Sequence, residues 1–344
     1  MDKTSTVSIR EFVDSIEIVP LETNEHCLIK EIDKVRLFED RIFVLDLQLQ
    51  HLFCFDKNGR YLFTVLSKGP GPEEYYYTED FIIDKYNKNI LLLDPSGFLS
   101  ITDFNGNFIS KTRLPKDISV YNEIHQQDRD TFIFISSSAY FLAAWSKSDN
   151  KILYKREGEQ VRRHVFFPFR KTYEYKGQLF YTPPVTNKTI NLADSSIFAW
   201  NLGKYNNTEN QIKNVKKLIM EGGYSREFAS RNFVQEKRLN SDIFHNWETS
   251  RYRFFTVNLG LPDFKFGYVF YDKKTKKPYV FFKTEEGLQL VSSSVNMNGD
   301  KLVLVNDERF KLYDDKLLSD RQRKIIASRL DDDNPFLVIY HLKK

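Results

Sequence analysis

The sequence predicts an all-β fold, a six-bladed β-propeller of four-stranded antiparallel blades, and three observations point to it. A short pattern is written twice: IFVLD (Ile42–Asp46) followed by LFCFDKNGR (Leu52–Arg60), then ILLLD (Ile90–Asp94) followed by LSITDFNGN (Leu99–Asn107). Asp46 and Asp94 stand 48 residues apart and Gly59 and Gly106 stand 47 apart. A repeat in the forties made of short strands and tight turns is the signature of one propeller blade per repeat. The composition agrees, with 30 Phe and 19 Tyr among 344 residues, since rings and β-branched side chains suit a pleated, half-buried surface. Setting aside a helical insert of about 38 residues and a helical excursion of about 20, the remainder divides by this period into close to six units.

The elements follow in chain order. Ile16 and Ile18 alternate with polar neighbours as a strand does, and Pro20 places that strand at an edge or at its own end. A lone strand ahead of the first repeat needs a partner; pairing it with the last strand of the chain closes the ring. Blade one reads as strands near 32–38, 42–46, 52–56 and 61–66, with Asn58-Gly59 in a hairpin turn where positive φ is needed. The connector KGPGPEEY (Lys68–Tyr75) cannot be helix or central strand, because four of its first five residues are Gly or Pro. Blade two spans about 81–114 and repeats the turn at Asn105-Gly106.

Blade three takes outer strands at 131–136, 139–146 and 151–155, with Asp149-Asn150 in the turn, and blade four reads through 178–182, 189–193 and 196–202. Between 205 and 242 the period breaks. There Ile212, Val215, Leu218 and Ile219 recur at helical spacing and Thr208 with Gln211 forms a capping box. Gly222-Gly223 ends that helix and Ser225–Leu239 reads as a second. Blade five resumes at 243–249, 251–258, 266–272 and 278–283. Blade six takes 288–297 and 301–305, a short helix near 320–330 capped by Ser319 and Gln322, and a final strand 336–342 after Asn334-Pro335. The whole of 1–344 is thus expected to be one propeller domain with a helical insertion at 205–242.

Charge and cysteine content narrow the function classes. Lys and Arg number 51 against 47 Asp and Glu, a net charge of +4, and the basic runs at Lys273–Lys277 and Arg162-Arg163 are short. A nucleic-acid footprint needs basic residues concentrated on one face, so nucleic acid is not an expected partner. Cys27 and Cys54 are too few for a disulfide framework. No stretch approaches the roughly 18 consecutive apolar residues of a membrane span, and residues 1–11 lack the apolar core of a signal peptide. The chain is expected to be either intracellular or a mature form whose export signal has been removed, and to act as a monomer.

Several local motifs belong together. They are Pro20-Leu21-Glu22-Thr23, the connector Lys68–Tyr75, Tyr181-Thr182-Pro183-Pro184 ahead of Thr189-Ile190, Glu248-Thr249-Ser250 before Arg251-Tyr252, and Asp333-Asn334-Pro335. In these the chain resembles the exported six-bladed β-propeller proteins of Gram-negative gut bacteria, many of them lipoproteins and most without known function. Lys68 stands where that family usually has arginine. The resemblance implies a periplasmic or outer-membrane-associated location; its likeness to NHL-repeat propellers is one of fold alone.

No catalytic motif is present: there is no HExxH, GxSxG, Walker or dinucleotide glycine pattern and no paired CxxC. The six histidines are scattered, and His26-Cys27 with His51 and Cys54 lie in different strand contexts. The connector is the first candidate site, because it crosses the propeller face at the channel mouth and offers Lys68, Glu73, Glu74 and Tyr75. Polar residues of the innermost strands, Asp80, Asn122, Glu123, Asn246 and Glu248, form the second. The leading expectation is a non-enzymatic module without a cofactor, binding a protein, peptide or glycan at the cell envelope. The alternative is a lactonase-like hydrolase or lyase with Ca²⁺ in the channel, a cation that wants six to eight oxygens. The pairs Phe166-Phe167, Phe254-Phe255 and Phe281-Phe282 are expected to pack between blades.

Overall fold

The computed structural model describes residues 6–65, 77–116, 120–136, 140–157, 172–183, 186–220, 238–259, 265–286, 296–306 and 318–344. Among them, six four-stranded antiparallel sheets follow one another along the chain. Blade one holds Lys34–Phe38, Arg41–Asp46, His51–Asp56 and Tyr61–Val65; blade two holds Asp80–Asp84, Asn89–Asp94, Phe98–Thr102 and Phe108–Arg113. Blade three is Tyr121–Gln126, Thr131–Ser136, Tyr140–Ser146 and Lys151–Glu157, and blade four is Thr172–Tyr175, Gln178–Tyr181, Lys188–Asn191 and Ile197–Ala199. Blade five is Ser241–Glu248, Tyr252–Leu259, Lys265–Asp272 and Lys277–Phe281. Blade six is assembled from both ends of the chain: Asn296–Asn298, Lys301–Asn306, Phe336–Leu342 and, outermost, Val13–Pro20. The first strands of blades two and three, four and five, and six and one meet side by side around the centre.

Ring closure is therefore as expected. Val13–Pro20 pairs antiparallel with Phe336–Leu342, and Pro20 is both the last residue of its strand and on the ring's outer edge, where its missing N–H goes unneeded. Two of the motifs noted above turn out to be halves of one contact. Asn334 is buried and donates from Nδ2 to the carbonyls of Glu22 (2.7 Å) and Cys27 (2.6 Å), accepts from Ile29 N–H (2.8 Å), and its own N–H donates to Thr23 Oγ1 (2.8 Å).

The core lies between blades. Ile42 and Val44 face blade six, packing with Val303 and Ile339, whereas Phe43 and Leu45 face blade two, packing with Phe81 and Leu92. Strands buried on both faces need apolar residues at successive positions, which is why IFVL and ILLL are continuous runs rather than alternations. Phe254 and Phe281 pack toward blade six, Phe255 and Phe282 toward blade four, so these two aromatic pairs fill both interfaces of blade five. Phe166-Phe167 lies outside the described residues.

Before reaching blade six, the amino-terminal segment straps blade five. Thr6–Val7 adds in parallel to Lys283–Thr284, and the Ser8 hydroxyl and Ile9 N–H both donate to the Glu286 carboxylate. Phe12 then inserts among four rings, stacking on Phe270 at 4.2 Å and Phe281 at 5.7 Å and meeting Tyr252 and Tyr279 edge-on. This strap and the strand Thr172–Tyr175 carry too few residues to show a period, and neither is predicted.

The repeated turns differ from expectation in one detail. Only the glycine takes positive φ, +84° at Gly59 and +87° at Gly106, while the aspartate before each turn holds it closed. Asp56 Oδ1 accepts from Asn58 and Arg60 N–H, as Asp103 Oδ1 does from Asn105 and Asn107. A Cβ at Gly59 would lie 1.8 Å from the Pro20 carbonyl oxygen, whereas one at Gly177 (φ +72°) would meet nothing within 4 Å. Gly177→Ala is expected to cost about 1–2 kcal/mol of backbone strain, and Gly59→Ala about 3 kcal/mol or more because blade one must also part from blade six. Urea unfolding of the two variants side by side checks the ranking.

The helical interruptions are present. Helix α1 (Glu209–Met220) is capped by Thr208 and Gln211 and helix α2 (Asp320–Ala327) by Ser319 and Gln322, both as capping boxes. Gly222-Gly223 and most of the second insert helix fall outside the described residues, as do 288–295 of the predicted first strand of blade six. Both cysteines are free and buried, and Cys54 packs as a small hydrophobe between blades one and two.

Candidate functional site

The inner-strand polar residues are held by protein partners. Asp80 opens the first strand of blade two with no solvent exposure; its Oδ1 accepts from Lys34 Nζ of blade one (2.5 Å) and from Phe81 N–H (2.8 Å), and its Oδ2 from Ile124 N–H of blade three (3.1 Å). One carboxylate thus bridges three blades. Glu248 lies between Lys273 Nζ (3.0 Å), Arg253 Nε (3.1 Å) and the Tyr173 hydroxyl (3.4 Å). Asn246 donates from Nδ2 to Thr182 Oγ1 (3.0 Å) and Thr189 Oγ1 (2.7 Å), tying blade five to blade four. Asn122 sits at a β-bulge in the first strand of blade three, buried. The connector residues Lys68, Glu73, Glu74 and Tyr75 lie outside the described residues. Among the described residues no group of three or more His, Cys, Asp or Glu is arranged to hold a metal ion.

Glu123 belongs to a different kind of cluster. Its Oε2 accepts from the Thr172 hydroxyl and lies 3.4 Å from His125 Nε2, while His125 Nδ1 lies 2.9 Å from Glu174 Oε1 on the first strand of blade four. Burial of His125 works against its positive charge, yet the hydrogen bonds and charges of Glu123 and Glu174 outweigh it and raise its pKa above the ordinary value. Burial likewise opposes charge on Glu174, but the His125 hydrogen bond and charge, reinforced by Arg36 and Lys34, hold its carboxyl at about 2. The cluster is a histidine held between two carboxylates that favour its protonated form.

A pH dependence follows from its sign. A folded-state pKa raised above the unfolded value of about 6.5 gives stability that is complete below that value and lost as pH rises through the folded one. The melting temperature of the wild type is expected to fall more steeply than that of His125→Gln between about pH 6 and pH 9. Parallel curves would mean that Glu123, Glu174 and Thr172 hold a neutral ring.

Beside this cluster a cavity of about 310 Å³ separates blades three and four. Its cause is a mismatch in strand length: blade three is built of strands of six and seven residues, blade four of strands of four and three. Among the described residues the shorter sheet leaves part of its neighbour uncovered. Ile133, Leu142, Leu179 and Leu192 make an apolar floor, while Tyr154, Arg156, Gln127, Glu174 and Gln178 bring rings and polar groups to the walls. Gln126 lines it too, but its amide is engaged with Asp84 Oδ1 (2.7 Å) and Lys85 N–H (3.0 Å).

The cavity reaches the turns that follow the first strands, at Gln127 and Gly177. Sequence reading named Glu123 and missed His125, Tyr154, Arg156, Glu174 and Gln178. Tyr154 and Arg156 lie on an outer strand that reads as solvent-facing, and nothing in the local pattern says that blade four is short.

The fold defines the chain as a closed six-bladed β-propeller protein. It belongs to the DUF4934 family, a domain of unknown function, whose model matches residues 1–341. It is similar to a structure from Bacteroides fragilis NCTC 9343 named as a candidate exported protein, with 16% identity and a TM-score of 0.75 over 99% of this chain and 98% of that one. It is also similar to a member of the DUF4221 family from Bacteroides vulgatus ATCC 8482, at 12% identity and a TM-score of 0.57 over 96% and 97% of the two chains. No curated protein matches it. No helix among the described residues is long and apolar enough to cross a membrane.

Proposed function

We propose that this propeller is a non-enzymatic binding module of the cell envelope that takes a small ligand in the cleft between blades three and four. The observation that carries the reading is a contrast within the site. Asp80 and Glu248, the inner carboxylates best placed for chemistry, are already ion-paired with lysine or arginine, and Asp80 also accepts from backbone N–H groups. The cleft instead joins an apolar floor to polar groups on two blades, the composition typical of ligand sites of about 300–1,000 Å³. The envelope location draws support from the exported description of the B. fragilis neighbour.

The test is the melting temperature of the purified chain and of Arg156→Ala, measured with neutral oligosaccharides, amino acids, dipeptides, Ca²⁺ and a chelator. A ligand of the folded state at a hundredfold excess over Kd adds about 2.7 kcal/mol of stability. The expected result is a rise with one organic class that Arg156→Ala abolishes, and no response to chelator. A fall in chelator that Ca²⁺ restores would replace this reading with a metal-dependent hydrolase; no shift with any organic compound would remove the cleft as a site.

A further inference from the structure

We infer that the ligand of this cleft is a neutral sugar, a saccharide short enough for the space between blades three and four. The inference rests on the binding reading above and adds the ligand's chemistry.

The first argument is charge balance. Arg156 contributes one positive charge to the walls and Glu174 one negative charge, while the His125 charge is matched by Glu123 behind it. Among the described residues the walls favour neither an anion nor a cation.

The second argument is the set of polar atoms left for a guest. Glu174 is 42% exposed and uses Oε1 on His125, while its Oε2 has no hydrogen bond among the described residues. Gln178 uses Oε1 on Asn191, leaving its NH₂ group, and the Arg156 guanidinium has no carboxylate partner among the described residues. The site therefore presents a strong acceptor and planar donors from two facing blades. A ligand that satisfies both must donate and accept at neighbouring positions without net charge, which vicinal hydroxyls do. A carboxylate, which only accepts, supplies only part of that pattern, and an amide, which both donates and accepts, is told apart from a sugar by the ring contact below.

The third argument is the ring. Tyr154 is 41% exposed at the cleft, with the Arg156 guanidinium over one side of its ring at 5.9 Å from the centroid. Its face and the Leu179 and Leu192 floor suit the C–H face of a pyranose, apolar on one side and hydroxylated at its edge. A cavity of about 310 Å³ is at the small end of ligand sites and suits a mono- or disaccharide.

The experiment is titration calorimetry of the full chain with neutral mono- and disaccharides, their uronic-acid counterparts, free amino acids and short-chain carboxylates. The panel is repeated on Tyr154→Ala, Tyr154→Phe and Glu174→Gln. A neutral saccharide is expected to bind, with affinity about tenfold weaker in Tyr154→Ala and retained in Tyr154→Phe. Because Tyr154 is exposed, the variant's unchanged melting temperature verifies its fold. Binding of an amino acid or carboxylate that Arg156→Ala abolishes would overturn the sugar inference and leave the binding module standing. A uronic acid binding about tenfold tighter than its neutral counterpart would overturn neutrality. No binding by any of these classes would overturn both.

Discussion

Asp80→Ala is expected to destabilise the protein by about 3–5 kcal/mol, the cost of leaving one partner of a buried ion pair uncompensated. Lys34 and Asp80 are 1% and 0% exposed, and Lys34 Nζ finds its other acceptor in the Phe81 carbonyl at 2.6 Å. With the carboxylate gone, Lys34 loses its ion-pair partner in a buried interface between blades one and two, and Ile124 N–H loses its acceptor as well. The double variant Lys34→Met with Asp80→Leu is expected to recover most of the loss, since an apolar pair of similar volume avoids both desolvations. Urea titrations of the three proteins check this. A single variant within about 1 kcal/mol of wild type would mean that the pair behaves as an exposed one. The same measurement separates two roles for Asp80: a residue kept for a ligand would lose binding on substitution and leave the unfolding midpoint alone.

Phe12→Ala is expected to cost about 3–5 kcal/mol, the range for removing a fully buried ring. Phe12 is 1% exposed and contacts four aromatic rings of blade five, yet the strand it leads into belongs to blade six. Its loss leaves a cavity under the strap and loosens the outermost strand of the ring at once. Hydrogen exchange is expected to accelerate first in Val13–Pro20 and Thr6–Val7, with blades two and three unchanged. Uniform acceleration throughout the chain would show that the strap unfolds only with the whole ring. Phe12→Leu is expected to keep part of the stability by filling some of the volume.

How much of this was legible follows the physics of each element. The Asp-x-Asn-Gly turns and the runs IFVLD and ILLLD announce blades one and two because turn chemistry and double-sided burial leave marks in consecutive residues. Capping boxes at Thr208 and Ser319 are visible for the same reason. Thr172–Tyr175 is not, since four residues with one strongly buried ring carry no period. The site is less legible still. Asp80, Asn122, Glu123, Asn246 and Glu248 stand out in the sequence as polar residues on the innermost strands; what each one touches depends on neighbouring blades whose register no local pattern records. His125 and Glu174 are 49 positions apart and meet only because their strands lie side by side.

The closure of blade six has a consequence for how the chain is delivered. Glu17 and His341 pair across 324 positions, so Val13–Pro20 waits for Phe336–Leu342. A chain emerging amino end first carries Val13–Pro20 as an unpaired edge throughout synthesis or passage through a pore, and such edges invite pairing with other chains. Bringing together strands so far apart in sequence is also slow. The ring is accordingly completed late, and the seven-residue strand Phe336–Leu342, which pairs with Val13–Pro20, acts as the latch.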